Sequence, residues 1–558
     1  MNNIIKRSYI GAIAAISMGA VPATLIAQED KDFNGKAYYS FERIEQTAPW
    51  LKSGNGAGLI FSTTPMNFSE AALYYNNVNG DYRNYNQAKS SNNFGLDTKS
   101  YSHIGNVYFY GMFNYDRTTK NEQSWLGTVD ENSNLAPMTE NVPGKVVTEQ
   151  YILQAGVGYK FSNNFAVGFD VNYRDASAAK KKDGRNKNIL SNFTVSPGVV
   201  YSSKYINAGA NFIYRYDSEK ADYTYLGDTK DKELYYFEGL FFYSAVNAGA
   251  TGLVDSRKYE TNYYGVGGQV ELKAGVFSFY NQFRYITAKQ NNFETYNFAK
   301  NTNSDEIREY DYQGVFSVKC KKIDNYLKIG FNSNENALNA VINSYREVEG
   351  EQSQFDWYKE GEVLRYMDSR KTYSAEYTGV IKRSETFANV SWCLGYSRTD
   401  VEKEHKYYPA DYTQDYKLDR YYASIEKSFI CGDNSFINIG VNGGYVKGSG
   451  NSLTETNPLE SSSIRIHKEL LATDYLYNVT DHTYFGGNIK YSYIVNAEKG
   501  YTAWIKAGYL YRKMGSNAEL SKALSSENIS FNKDSRQYFN VTIGFNSVSY
   551  THLTLPTN

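Results

Sequence analysis

Histidines are the first place to look for chemistry, and the chain has five: His103, His405, His467, His482 and His552. An imidazole beside Asp or Ser at the rim of a fold can take a proton or activate a nucleophile. No histidine stands in an HExxH, and no GxSxG occurs, so zinc-protease and nucleophile-elbow chemistry both lack their residues. The acidic runs DSEKAD (217–222), GDTKDKE (227–233) and SDEIREYD (304–311) lack the glycine and closing glutamate of a calcium loop. Cys320, Cys393 and Cys431 cannot all pair with one another, and their spacing fits no metal motif. The expectation is a protein without catalytic residues, metal or cofactor. A formal net charge of −1 offers no footprint for nucleic acid.

Other side chains could bind rather than react. Tyr235, Tyr236, Phe237, Leu240, Phe241, Phe242 and Tyr243 put seven large apolar or aromatic groups into nine residues. Such a patch is costly to leave in water, so it should be covered. Three readings stay open: a structural plug, a hydrophobic-ligand site at the mouth, or a docking face for another outer-membrane protein. Phe355 and Trp357 lie in a second expected loop, 346–367, placed to cover the first. Asp170, Arg174, Arg215, Glu271, Lys273 and Arg284 alternate with apolar neighbours and are candidates for a polar lumen. Their mixed signs name no preferred ion, since a selective pore usually shows a ring of one sign. They fit equally a salt-bridged network that shuts the lumen.

The elements that must position these groups are strands. In NNFAVGFDVNYRD (163–175), Phe165, Val167, Phe169, Val171 and Tyr173 share one face, and small or polar residues share the other. The pattern recurs along the chain, with tight turns alternating with long connectors. TEQYILQAGVGYKFS meets NNFAVGFDVNYRD across a tight turn, and ASAAKKKDGRNKN (176–188) reads as a longer basic loop. That rhythm predicts an all-β, antiparallel, up-and-down transmembrane barrel of about eighteen strands, sixteen if the first two stay out of the wall. Phe165, Val167 and Phe169 should then face lipid. Aromatics at 16% suit the girdles of such a barrel, and a mean hydropathy of −0.58 does not count against it, since half of each strand faces water.

The N-terminus begins with Lys6 and Arg7, then an apolar run to about Ile26, then QED. This is the layout of a secretory signal peptide, cleaved after Ala27. The expected division is signal 1–27, periplasmic lead-in or hatch 28–65, barrel 66–547, and a tail 548–558. The last resembles, residue for residue, a translated transposase-type sequencing adapter.

Resemblance adds to this reading. The architecture and the terminal strand QYFNVTIGF resemble Gram-negative outer-membrane barrels, whose last strand is read by the barrel-assembly machinery. ERIEQTAPWL (42–51), GDYRNYNQ (80–87) and YYFEGLFFY (235–243) are similar to an uncharacterised family of such barrels, of the kind encoded beside TonB-dependent uptake systems. The resemblance implies an outer-membrane location among lipid and lipopolysaccharide. It also implies work as a channel or accessory in nutrient uptake, with a TonB-dependent transporter or surface lipoprotein as partner. The alternatives are a non-conducting scaffold or adhesin, and a hydrophobic-substrate transporter with an N-terminal hatch. APWL loosely resembles the hatch segment of fatty-acid-transporter-like barrels, which makes Trp50 the hatch candidate.

Overall fold

Eighteen antiparallel strands close into a barrel in the computed structural model. Described are residues 40–549, apart from 62–66, 132–133, 183, 226–231, 248–255, 297, 350–352, 385–386, 458–464 and 517–534. The signal segment and residues 550–558 therefore lie outside the described residues. The first strand, Asn67–Gly80, pairs with the second, Ser90–Ile104, on one side and with the last, Ser535–Ser549, on the other. That last pairing is the seam, and it leaves the wall without an edge.

Turns after Ile104, Lys160, Ser202, Ala274, Lys319, Lys382, Gly432 and Asn496 gather at the end that carries Asn67 and Ser549. Gly105 and Gly275, at φ 57° and 61°, make two of these turns possible. The longer connectors all lie at the opposite end. The outer surface is apolar: Phe165, Val167 and Phe169 are 49%, 41% and 41% exposed, whereas Ala166 between them is 1% exposed. Large apolar groups displayed around a whole wall suit lipid, not water. Among the described residues no helix is long and apolar enough to cross a membrane.

Two stretches expected as loops are strand instead. Phe165–Lys180 and Arg185–Ser202 leave only a short connector within 176–188. Ile323–Glu347 and Phe355–Lys382 run 25 and 28 residues, far beyond the ~10 that cross a bilayer, so 346–367 is the projecting end of a hairpin. The last strand likewise passes the expected barrel boundary at 547. Its Val548 is buried against Phe68 and Phe41.

Candidate functional site

The lumen is occupied at both ends. On the side of the tight turns, residues 40–61 fold inside the wall as a helix, Phe41–Thr47, and two 3-10 turns, Pro49–Lys52 and Gly56–Phe61. Pro49 starts its turn with φ already fixed. The segment rests in a trough of glycine. Gly158 pairs with Gly168, and Gly168 with Gly198, so three neighbouring strands present bare backbone at one level. A Cβ at Gly168 would lie 1.9 Å from the Ala57 nitrogen. One at Gly198 would lie 2.2 Å from the Asn55 side-chain oxygen, and one at Gly158 would lie 2.7 Å from the Gly56 carbonyl.

Polar bonds then fix the register of the segment. Asn55 Nδ2 donates to the carbonyls of Val199 and Ala210 and to Gln269 Oε1, while its Oδ1 accepts from Ala57 N–H. Trp50 Nε1 donates to Glu271 Oε2 at 2.8 Å, and its ring packs on Phe61 and Tyr280. The helix leans on the seam, where Phe41 stacks on Phe68 at 4.2 Å. Trp50→Ala removes a buried aromatic worth about 3–5 kcal/mol. Hydrogen exchange over 40–61 should accelerate in that variant while the wall strands stay protected.

The six lumen candidates do not form a ring. Arg174 donates both Nη groups to the Asp130 carboxylate, at 2.6 and 2.7 Å, so a residue of the 124–143 connector reaches down into the barrel. Arg215 bonds Asp217 and lies 4.2 Å over the Tyr263 ring. Arg284 pairs with Asp311 at 3.1 Å. Lys273 donates to Ser203 O and to Asn207 Oδ1, and Asn207 donates to Glu271. Asp170 sits with Gln154 under Leu59 of the inner segment. Arg174, Arg215 and Arg284 thus hold carboxylates, while Asp170, Glu271 and Lys273 bond to neutral groups. The free space lies elsewhere, in a cavity of about 470 Å³ between the helix Phe41–Thr47 and the opposite wall. Lys328, Glu376, Glu426, Lys490 and Lys506 line it. Lys328 pairs with Glu376 at 3.3 Å.

At the other end the connectors build a small sheet of their own from Met138–Thr139, Glu233–Phe237, Phe242–Asn247 and Arg465–Ile466, followed by the helix Lys468–Val479. The aromatic run is turned into this sheet. Tyr235, Phe237, Leu240 and Phe242 are buried, Tyr236 lies under the Arg257 guanidinium, and Phe241 meets Tyr85 edge to face. Phe242 stacks on His405 at 4.0 Å. Tyr243 completes a cage with Trp125, Tyr235 and His467. The run therefore packs as a plug. Phe355 and Trp357 do not cover it: they sit out on the long hairpin against Tyr345, with Lys300 over the Trp357 ring.

His467 Nδ1 accepts from Leu470 N–H at the start of the outer helix, which requires a lone pair on that nitrogen. Burial holds this imidazole below its ordinary 6.5. A depressed histidine contributes its stability above the unfolded value and loses it as pH falls through and below 6.5. Acidification from about pH 7.5 to about pH 5 should therefore expose 465–479 to limited proteolysis. His467→Asn, which caps without titrating, should weaken that pH dependence.

The remaining histidines among the described residues are packing groups or neighbours of turns: His103 stacks on Tyr108, and His482 Nδ1 lies 3.2 Å from the Tyr82 hydroxyl. Among the described residues no three His, Cys, Asp or Glu side chains could share a metal ion. Sequence reasoning missed the glycine trough and Asn55. Only the small inward position of Gly168 in VGF hinted at the first.

Wall and contents together define a membrane-spanning β-barrel with a folded segment lodged in its lumen and a loop-built plug at the far end. The chain belongs to a family of unknown function, DUF6850, whose pattern matches residues 56–547. No curated protein matches it. Among solved structures it is similar to the outer membrane transporter YddB from Escherichia coli, at 9% identity over 86% of this chain and 80% of that one, with a TM-score of 0.38. It is similar also to BauA, the ferric preacinetobactin receptor from Acinetobacter baumannii, at 9% identity, 86% and 80% coverage and a TM-score of 0.39. The TodX monoaromatic hydrocarbon channel gives 10% identity, 89% and 93% coverage and a TM-score of 0.29. No residue of this chain takes a role from these proteins.

Proposed function

We propose that the protein is an outer-membrane uptake barrel of a Gram-negative bacterium, closed at rest, which passes solute when residues 40–61 leave their seat. In this reading 40–61 is a hatch, and the barrel works as a gated channel or as an accessory of a TonB-dependent system, with a transporter or surface lipoprotein as partner. One observation carries it: a glycine trough across three strands fits the backbone of 55–57 and leaves no room for a side chain. A wall that served only as a scaffold has no need of so close a seat. The charged lining of the 470 Å³ cavity favours polar solutes over a hydrophobic substrate.

Planar-bilayer conductance tests the proposal. In a barrel whose outer plug is removed by deletion of residues 233–247, the chain that keeps 40–61 should be mostly silent and the chain that also lacks 40–61 should give stable open steps. Equal conductance in both would overturn the hatch. Silence in both, with the barrel folded, would favour the scaffold reading.

A further inference from the structure

Beneath the outer plug lies a second cavity, of about 260 Å³, where four connectors and three wall strands converge. Its walls are aromatic: Tyr85, Trp125, Phe237 and Phe241 come from the connectors, and Tyr366 and Tyr416 from the wall. Its floor is polar and already ordered. Asp474 accepts from Asn84 Nδ2 at 2.7 Å and from Lys403 Nζ at 3.2 Å, and Asp368 accepts from the Tyr366 hydroxyl. Two carboxylates, Asp368 and Asp474, face two cations, Arg370 and Lys403, so the lining has no net charge to offer an ion.

The backbone around this cavity is held in uncommon conformations. Trp125, Leu240 and Phe241 sit at φ 58°, 42° and 60°, a region that bulky residues rarely enter. All three line the cavity. Gly239, at φ 88°, lets the chain pass so close to Tyr366 that a Cβ there would lie 2.2 Å from its ring. Strain of this kind costs about 1–3 kcal/mol per residue and collects at ligand clamps, where the surroundings over-determine the conformation. Among the described residues, three of the six non-glycine positions with such φ values line this one small chamber.

We propose that this chamber binds a saccharide, a neutral polyhydroxylated ring held between aromatic faces and an edge of amide and carboxylate groups. Tyrosine and tryptophan offer an apolar face with a polar tip, which suits a ring with one C–H face and a hydroxylated rim. Carboxylate and amide pairs bind hydroxyl groups as acceptor and donor together. A charged ligand would bury charge against a balanced lining and gain little. The size admits one or two sugar rings. The assignment deepens the uptake reading and rests on it only for the passage of the sugar after capture.

Binding is tested without transport, by titration calorimetry on the full-length protein in detergent. The panel is glucose, galactose, mannose, xylose, cellobiose and maltoheptaose, with glycine and glutamate as charged comparators. At least one sugar should bind, and Asp368→Asn and Trp125→Phe, which keep shape, should each weaken it about tenfold (~1.4 kcal/mol). Comparable binding of a monosaccharide and the oligomers assigns a free sugar, while binding of oligomers alone assigns the end of a glycan. No sugar bound, affinity unchanged in both variants, or preference for an amino acid would overturn the proposal. Failure here would leave the conductance of the hatch untouched, so the two readings fall separately.

Discussion

Once the outer plug has been removed, Gly168→Val is expected to convert a quiet barrel into a conducting one. The added Cβ would meet the Ala57 nitrogen at 1.9 Å and Gly56 carbon at 2.2 Å, backbone atoms with no rotamer to give way. The wall cannot retreat, because Gly168 is paired on both sides, to Gly158 and Gly198. The segment 55–57 must lift instead. Overpacking of this kind costs about 1–3 kcal/mol, and each 1.4 kcal/mol is tenfold in population. The open fraction should therefore rise by about tenfold or more, read as stable steps in a planar bilayer. Gly268→Val is the control: a Cβ there meets nothing within 4 Å, so the trace should match that of the unaltered protein. A silent Gly168→Val barrel with 40–61 still protected from exchange would sink the idea that this trough seats a gate.

A second large effect is expected at the outer end. Glu140 and Lys180 form an ion pair whose side chains are 3% and 1% exposed, and Lys180 also donates to the Val142 carbonyl. Glu140 Oε2 accepts from Val142 N–H as well, so the pair ties the 124–143 connector to the end of a wall strand. Removing one partner strands the other charge. Glu140→Ala should cost about 3–5 kcal/mol, seen as a lower unfolding temperature and as cleavage within 124–143. Replacing both partners by apolar groups, Glu140→Leu with Lys180→Met, should recover most of that loss. Equal damage from the double variant would show that the pair itself, and not a stranded charge, holds the connector.

The wall was legible because its chemistry is written at short range. Alternation in 163–175 and 205–217, with tight turns after 160 and 202, depends only on neighbouring residues, and the paired strands fall where that pattern puts them. Ends were less legible. Above the membrane both faces of a strand meet polar surroundings, so the strand ends within 176–188 and 346–367 carry no apolar stripe and read as loops. The aromatic run announced that it would be buried, but its partners Trp125, His405 and His467 come from distant connectors and wall strands. Farthest from reach was the glycine trough, which exists only through the register of three strands. Gly158 and Gly198 are unremarked in sequence, Gly168 shows only as a small inward residue, and the three meet only once those strands are paired.

The seam has a consequence for the order of assembly. Its strands, Asn67–Gly80 and Ser535–Ser549, lie almost a full chain length apart, so theirs is the most distant pairing in the wall and the last to be reached. Phe41 and Ile44 rest beside it on Phe68 and Tyr101, which belong to the first two strands. Both ends of the inner segment therefore find seats on early strands, Asn55–Ala57 on three of them and the helix Phe41–Thr47 on two. The gate can be in place before the final stitch closes the wall around it.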